Sequence, residues 1–217
     1  MKNVLIVAAH PDDEVLGVGG TIAKHVSNKD KVSVVTFTDG VSSRSHEKRK
    51  KENSIIRFEE LGKVSSVLGF TEVHYEFPDQ ELDTISLLAL SRALEDAKLK
   101  LGISPDIVYT HYANGLNQDH RQLYYATLIA FRPKPGQPCK EIYCYQVPSY
   151  GNTDFSPTMY VSLTQAEVIL KLKAWDCYQS EHNSRFNRES LIRMTQECGN
   201  SIGVEYAEAF EIVRIIR

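Results

Sequence analysis

The apolar run Val4-Leu5-Ile6-Val7-Ala8-Ala9 ends without a break in His10-Pro11-Asp12-Asp13-Glu14. An unbroken apolar run of this length describes a buried strand, the kind that needs helices over it. The strand therefore delivers one imidazole and three carboxylates to the point where its loop begins. Like charges crowded there are costly unless something positive sits among them, and a divalent cation is the economical answer. His10 and Asp13 are spaced so that a tight turn can aim both at one ion, which leaves Asp12 as a base.

The rest of the chain repeats the alternation that such a strand demands. Val32–Thr38 reads as a second strand, closed by the turn signal Asp39-Gly40. Ile55, Phe58, Leu61, Val64 and Leu68 recur at helical spacing, and Gly69 ends that helix. Val73–Phe77 reads as a strand, Ile85–Leu101 as a helix and Asp106–Thr110 as a strand. A helix over Gln118–Phe131 follows, then strands over Glu141–Val147 and Met159–Leu163. Helices over Gln165–Tyr178 and Arg188–Gln196 and a last strand over Phe210–Ile216 complete the reading. The first helix is expected to open at Gly19 and run to Val26. The expected fold is a single α/β domain over residues 1–217, its Rossmann-like sheet mostly parallel with helices on both faces.

Composition narrows the partners. With 217 residues and a formal net charge of −3, nothing draws the chain toward nucleic acid or an anionic membrane surface. The basic run Lys48-Arg49-Lys50-Lys51 is bracketed by Glu47 and Glu52 and reads as a solvated helix start. Cys139, Cys144, Cys177 and Cys198 lack the spacing of a zinc knot and read as reduced thiols. No stretch approaches the ~18 apolar residues of a membrane span, and the first apolar run falls short of the ~7–15 of a signal-peptide core. A soluble, cytoplasmic protein is expected, with room for a homo-oligomer.

In open α/β sheets ligands bind beyond the carboxyl ends of the strands. His10–Glu14, Asp39, Asp79 and the segment from His111 to His120 each follow a strand, so they converge on one edge. His120, at the mouth of a helix, is the expected third ligand. Two histidines and one carboxylate with an open position suit catalytic zinc, and the same ligand types admit Fe²⁺ or another divalent ion. Asp12 would act as general base, and Asp119 would hold His120 or a protonated neighbour in place. Asn117 is a natural helix cap, and capping competes with any catalytic role for it. His111 stands at the active edge, whereas His25, His46, His74 and His182 read as surface or packing residues. Gly17-Val18-Gly19-Gly20 after a strand suggests a dinucleotide loop, but Ile22 stands where the fingerprint needs glycine. The acids at 12–14 would also repel a pyrophosphate, so tight helix–strand packing explains these glycines better.

Taken together these residues resemble the LmbE-like/PIG-L de-N-acetylases, zinc hydrolases that remove acetyl groups from amino sugars. Ala9–Glu14 with Gly19-Gly20-Thr21 resembles the family's first motif, and Asn117-Gln118-Asp119-His120-Arg121 its second. Ala207-Glu208-Ala209-Phe210 is similar to a closing motif of the bacterial polysaccharide-associated branch. The resemblance implies zinc on His10, Asp13 and His120, with Asp12 as base. It implies that Arg57, in Arg57-Phe58-Glu59-Glu60-Leu61, faces substrate and that Asp79, in Phe77-Pro78-Asp79, contacts sugar hydroxyls. His111 joins them as a substrate-binding candidate, and Asp119 and Asn117 join Asp12 as catalytic candidates. Asn117 stands where members of the thiol-cofactor branch carry histidine. An amide can donate to an oxyanion but cannot serve as an acid, so acid duty falls on Asp12. Gly115 and Tyr112 also depart from residues frequent in the family. The implied substrate is an N-acetylated sugar or sugar conjugate, nucleotide- or glycan-linked in surface polysaccharide synthesis. A glucosaminyl precursor of a low-molecular-weight thiol is the alternative within the family, and a non-catalytic sugar- or nucleotide-binding module the alternative outside it.

Overall fold

The computed structural model describes residues 1–44, 49–135, 139–147, 154–181 and 186–217. His46, His182 and Lys48 lie outside the described residues. Among the described residues seven strands form one sheet: β1 (Asn3–Ala8), β2 (Lys31–Thr36), β3 (Thr71–His74), β4 (Ile107–His111), β5 (Glu141–Tyr145), β6 (Met159–Leu163) and β7 (Tyr206–Ile215). Six α-helices among the described residues accompany them: α1 (Asp13–Ser27), α2 (Lys50–Leu68), α3 (Leu87–Leu101), α4 (Gln118–Ala130), α5 (Gln165–Trp175) and α6 (Arg188–Asn200).

The strand order is β3-β2-β1-β4-β5-β7-β6. Strands β1 to β5 run parallel, while β7 pairs antiparallel with both β5 and β6. The chain builds outward from β1 in one direction through β2 and β3, then returns to start β4 on its other side. The crevice beyond the ends of β1 and β4 is therefore the switch point at which such sheets hold ligands.

Alternation along β1 divides the core. Val4, Ile6 and Ala8 face a cluster built with Val15, Val18 and Ile22 of α1, Leu61 and Val64 of α2, and Leu172 of α5. Leu5, Val7 and Ala9 face Leu90 and Leu94 of α3 and Leu123 and Ala126 of α4. All six β1-side residues are fully buried, as expected for a central parallel strand covered on both faces.

Three expectations need adjustment. Helix α1 starts at Asp13, six residues before Gly19, so the glycines lie inside the helix. A Cβ on Gly17 would sit 2.2 Å from the Tyr145 ring, and one on Gly20 would sit 2.3 Å from Leu163. Their absence lets α1 settle onto β5 and β6, the packing role expected of them. Strand β3 is shorter and earlier than expected, and β7 is longer, beginning at Tyr206. Gly69, at φ 79°, does close α2. Arg49, Lys50 and Lys51 do stand at its start.

Candidate metal centre

The turn leaving β1 and the first turn of α4 bring together the two halves of the site. His10 Nδ1 lies 3.2 Å from Asp13 Oδ2 and 3.3 Å from His120 Nε2. His120 Nε2 lies 3.4 Å from the same Asp13 oxygen. These atoms form a nearly equilateral triangle. A tetrahedral ion with bonds of ~2.0–2.1 Å needs donor atoms about 3.3–3.4 Å apart, so the donor set fits a zinc-sized ion. All three residues are buried, yet His10 at 7 % and His120 at 8 % exposure keep a little open surface, whereas Asp119 behind them has none.

His10 has a second nitrogen, and His10, Asp79 and Asp119 form another close group. His10 Nε2 lies 3.2 Å from Asp119 Oδ2 and 3.5 Å from Asp79 Oδ1. The oxygens of Asp119 already accept from the Gln80 and Leu82 amides at 2.8 and 3.0 Å, and Asp79 Oδ2 accepts from Ser43 N–H at 3.0 Å. This group is best satisfied by Nε2–H donating to Asp119, which leaves Nδ1 bare for an ion. Such a carboxylate fixes the ring and its tautomer. The sequence suggests Asp119 as the support of His120 or a neighbour; the structure places it behind His10.

Electrostatics point the same way. Burial by itself would lower His10, but Asp13, Asp119 and Asp79 around it prevail and hold its imidazole well above the ordinary value. Asp13, against its burial, is held well below the usual carboxylate range by His120, His111 and His10. A ring of acids that forces a proton onto a histidine is a ring that accepts a cation in its place.

Asp12 is adjacent and treated differently. It is the N-terminal cap residue of α1 at φ 127°, a conformation rare for any side-chain-bearing residue, and its carboxylate makes no hydrogen bond to the helix it caps. Instead Arg57 Nη2 donates to Asp12 Oδ2 at 2.7 Å. Burial above all pushes the Asp12 carboxyl up to about 8; Arg57 opposes this, and Asp13 and Glu181 add to it. A divalent cation beside it would favour the ionised form again.

The positions of four expected residues change their reading. Arg57 is 1 % exposed and its guanidinium is spent on Asp12, on Ser180 Oγ at 2.9 Å and on Glu181 at 3.2 Å, so it holds Asp12 rather than facing substrate. Asp79, at 4 % exposure behind His10, is likewise turned inward. His111 is completely buried: its Nε2 accepts from Ala9 N–H at 2.9 Å, and its ring stacks on His120 at 3.9 Å. It lies beneath the His120 ring of the candidate metal centre, with burial lowering its imidazole well below the ordinary value and His120 adding to that. Asn117 caps α4, its Oδ1 accepting from Asp119 N–H at 2.9 Å and His120 N–H at 3.4 Å. The cap fixes the turn that aims His120.

Sequence reasoning does not single out the support around Asp12. Glu14 reads only as one more acid, and Tyr178, Ser180 and Glu181 carry no recognisable signal because they act from the distant end of α5. Lys171 and Glu208 form a buried ion pair at 2.6 Å. Glu208 also accepts from the Gly20 and Thr21 amides, and Lys171 donates to Leu16 O. The segment 207–210 thus braces the middle of α1. His25 packs through Asp30 and Tyr109, and His74 stacks on Phe58, in keeping with packing roles for both. All four cysteines are free.

The parallel α/β sheet thus carries at its switch point a His-Asp-His triangle that a divalent ion would fit, beside a strained aspartate. The family model for "GlcNAc-PI de-N-acetylase" (PIG-L) matches residues 5–131, and the chain belongs to this family. Among curated proteins it is similar to an "Uncharacterized deacetylase YaiS" of Escherichia coli K12, 29 % identical over 184 residues, or 82 % of this chain and 91 % of the relative. Among solved structures it superposes on an N,N'-diacetylchitobiose deacetylase from Pyrococcus horikoshii with TM-score 0.79 and 25 % identity, covering 98 % of this chain and 84 % of that one. A conserved protein from Thermus thermophilus, TT1542, matches equally, with TM-score 0.79 and 25 % identity over 100 % of this chain and 97 % of that one.

Proposed function

We propose that this protein is a zinc-dependent deacetylase that hydrolyses the acetamide of an N-acetylated amino sugar or sugar conjugate. The observation that carries the proposal is the triangle of His10, Asp13 and His120 donor atoms with the Asp12 carboxylate beside it. When bound there, a divalent ion would polarise the acetyl carbonyl and make water a better nucleophile at neutral pH. The residues of the chain do the remaining work. Asp12 accepts a proton from the attacking water and returns it to the departing amine, so that amide and water become acetate and free amine. Arg57 keeps the Asp12 carboxylate in place, Asp119 keeps His10 in the tautomer that leaves Nδ1 bare, and His111 supports the ring of His120 from below.

Asn117 Oδ1 is engaged in capping α4, which accounts for the residue without any role in the reaction. It stands where a histidine marks the thiol-cofactor branch, which favours a nucleotide- or glycan-linked sugar over a glucosaminyl thiol precursor. The segment Ala207-Glu208-Ala209-Phe210 adds little to that choice, because Glu208 is occupied in bracing α1. Among the described residues no helix is long and apolar enough to cross a membrane.

The test is acetate release by metal-loaded protein from free, nucleotide-linked and glycan-linked N-acetyl sugars and from an N-acetylglucosaminyl thiol precursor. Release should be abolished by chelator and restored by zinc. A protein that holds zinc yet releases no acetate from any member of the panel is not a sugar deacetylase, and a binding module takes its place.

A further inference from the structure

An aspartate at a helix N-terminus ordinarily turns its carboxylate onto the free N–H groups of its own helix. Asp12 does not, because its backbone stands at φ 127°, ψ −29°. That conformation is strained and persists only where the surroundings over-determine it. It is also what makes the carboxylate available: with φ relaxed to negative values, Asp12 would cap α1 and turn away from Arg57.

Two holds act on this residue, and both come from the same short stretch after α5. Arg57 grips the side chain, and Arg57 is itself positioned by Ser180 and Glu181. The backbone is gripped by Glu14, whose Oε2 accepts from Asp12 N–H at 3.0 Å. Glu14 is completely buried, and its other oxygen accepts from Tyr178 Oη at 2.5 Å. Tyr178 is completely buried as well, and the Arg57 guanidinium lies 4.9 Å from the centre of its ring. The hydroxyl of one tyrosine therefore fixes the carboxylate that fixes the strained peptide, while the face of the same ring backs the guanidinium that fixes the side chain.

We propose that Tyr178 and Glu14 are positioning residues for the reaction, holding Asp12 in its strained conformation so that its carboxylate serves the site instead of its own helix. The proposal rests on the deacetylase reading for its kinetic consequence, but the hold itself is a statement about geometry.

The experiment compares the full-length, zinc-loaded wild type with Tyr178→Phe and Glu14→Gln by crystallography, metal analysis and steady-state acetate release. Tyr178→Phe removes one oxygen and leaves Glu14 free to swing. Asp12 should relax to negative φ and part from Arg57. The turnover number should fall by about 10²-fold, the scale of a misplaced reacting group. KM and zinc content should stay near wild type. Glu14→Gln keeps an acceptor for Asp12 N–H and a partner for Tyr178, so it should hold φ near its native value and keep turnover within about threefold. If Tyr178→Phe does not fold, Glu14→Leu decides the matter, because it offers Asp12 N–H no acceptor: an Asp12 that keeps its native φ and turnover there overturns the hold. An unchanged Asp12 conformation in Tyr178→Phe overturns it equally, as does a fall in zinc content that accounts for all lost turnover. Failure of the deacetylase reading is recognised separately, as wild type that releases no acetate, and the angle at Asp12 still decides the hold.

Discussion

Replacing Arg57 separates two roles that the same residue could have, and the structure supplies the magnitudes. The guanidinium is 1 % exposed and touches Asp12 at 2.7 Å, Ser180 at 2.9 Å and Glu181 at 3.2 Å, with Glu60 at 3.8 Å. Deleting it in Arg57→Ala leaves buried carboxylates without their cation, a loss of ~3–5 kcal/mol for a broken buried pair. Glu60 and Glu181 keep other partners, in Ser180 and Arg44. The lower end therefore applies, about 3 kcal/mol. For a chain of this size that is a fall in Tm of roughly 6–12 °C, at ~2–4 °C per kcal/mol. Asp12 also loses its anchor, so turnover should fall by about 10²-fold with KM little changed.

Arg57→Lys sharpens the contrast. An ammonium restores one positive charge but cannot reach Asp12, Ser180 and Glu181 together as the planar fork does. It should recover about half of the lost Tm and almost none of the lost turnover. Thermal melting and acetate-release kinetics on the two variants, both loaded with zinc, read these quantities. A raised KM at native turnover would refute the reasoning, since that is the signature of a residue that binds substrate without reference to the transition state.

Other perturbations follow from the same geometry. Asp12→Asn should keep stoichiometric zinc and lose ~10²–10⁴-fold in turnover; metal analysis beside kinetics checks it, and near-native turnover would remove Asp12 as the base. Zinc at about a hundred times its dissociation constant should stabilise the fold by ~2.7 kcal/mol. By calorimetry Tm should then rise by roughly 5–11 °C, and His120→Ala should abolish that rise. Asn117→Ser should match wild type in Tm and turnover because serine also caps, whereas Asn117→Ala should lose ~0.5–2 kcal/mol. Lost turnover in the serine variant would restore an oxyanion role to the amide. Gly17→Ala drives a methyl into the Tyr145 ring and should cost at least ~1–3 kcal/mol by overpacking, read as a lower Tm. An unchanged Tm would mean that α1 can slide away from β5.

The parallel half of the fold is legible in the sequence because its strands are buried on both faces and leave unbroken apolar runs, Val4–Ala9 being the clearest. The convergence of His10, Asp13 and His120 is legible because strand ends in such a sheet meet at one edge, so the three can be grouped across more than a hundred residues. What fails is local. Helix α1 reads as starting late because glycines argue against a helix interior, and only the Tyr145 and Leu163 side chains explain why they are tolerated there. Arg57 and Asp79 read as substrate contacts, but whether a charged side chain faces a cleft or a buried partner depends on groups contributed from elsewhere. Glu181 and Ser180 decide it for Arg57, and His10 decides it for Asp79. No periodicity reports such partners.

Asp12 and Asp13 show how far neighbouring identical residues can be driven apart by one backbone angle. Asp13 takes the first helical position of α1, and there its carboxylate meets three imidazoles and stays ionised. Asp12, one residue earlier, lies outside the helix at positive φ, and its carboxylate meets the Arg57 guanidinium. Had both residues adopted helical angles, their side chains would point about 100° apart around one axis. The left-handed step at Asp12 breaks that continuation. It sends two neighbouring acids to different partners, Asp13 to the imidazoles and Asp12 to Arg57. The chain therefore carries local strain at Asp12, and the groups that hold that residue's partners, Tyr178, Ser180 and Glu181, arrive only after α5.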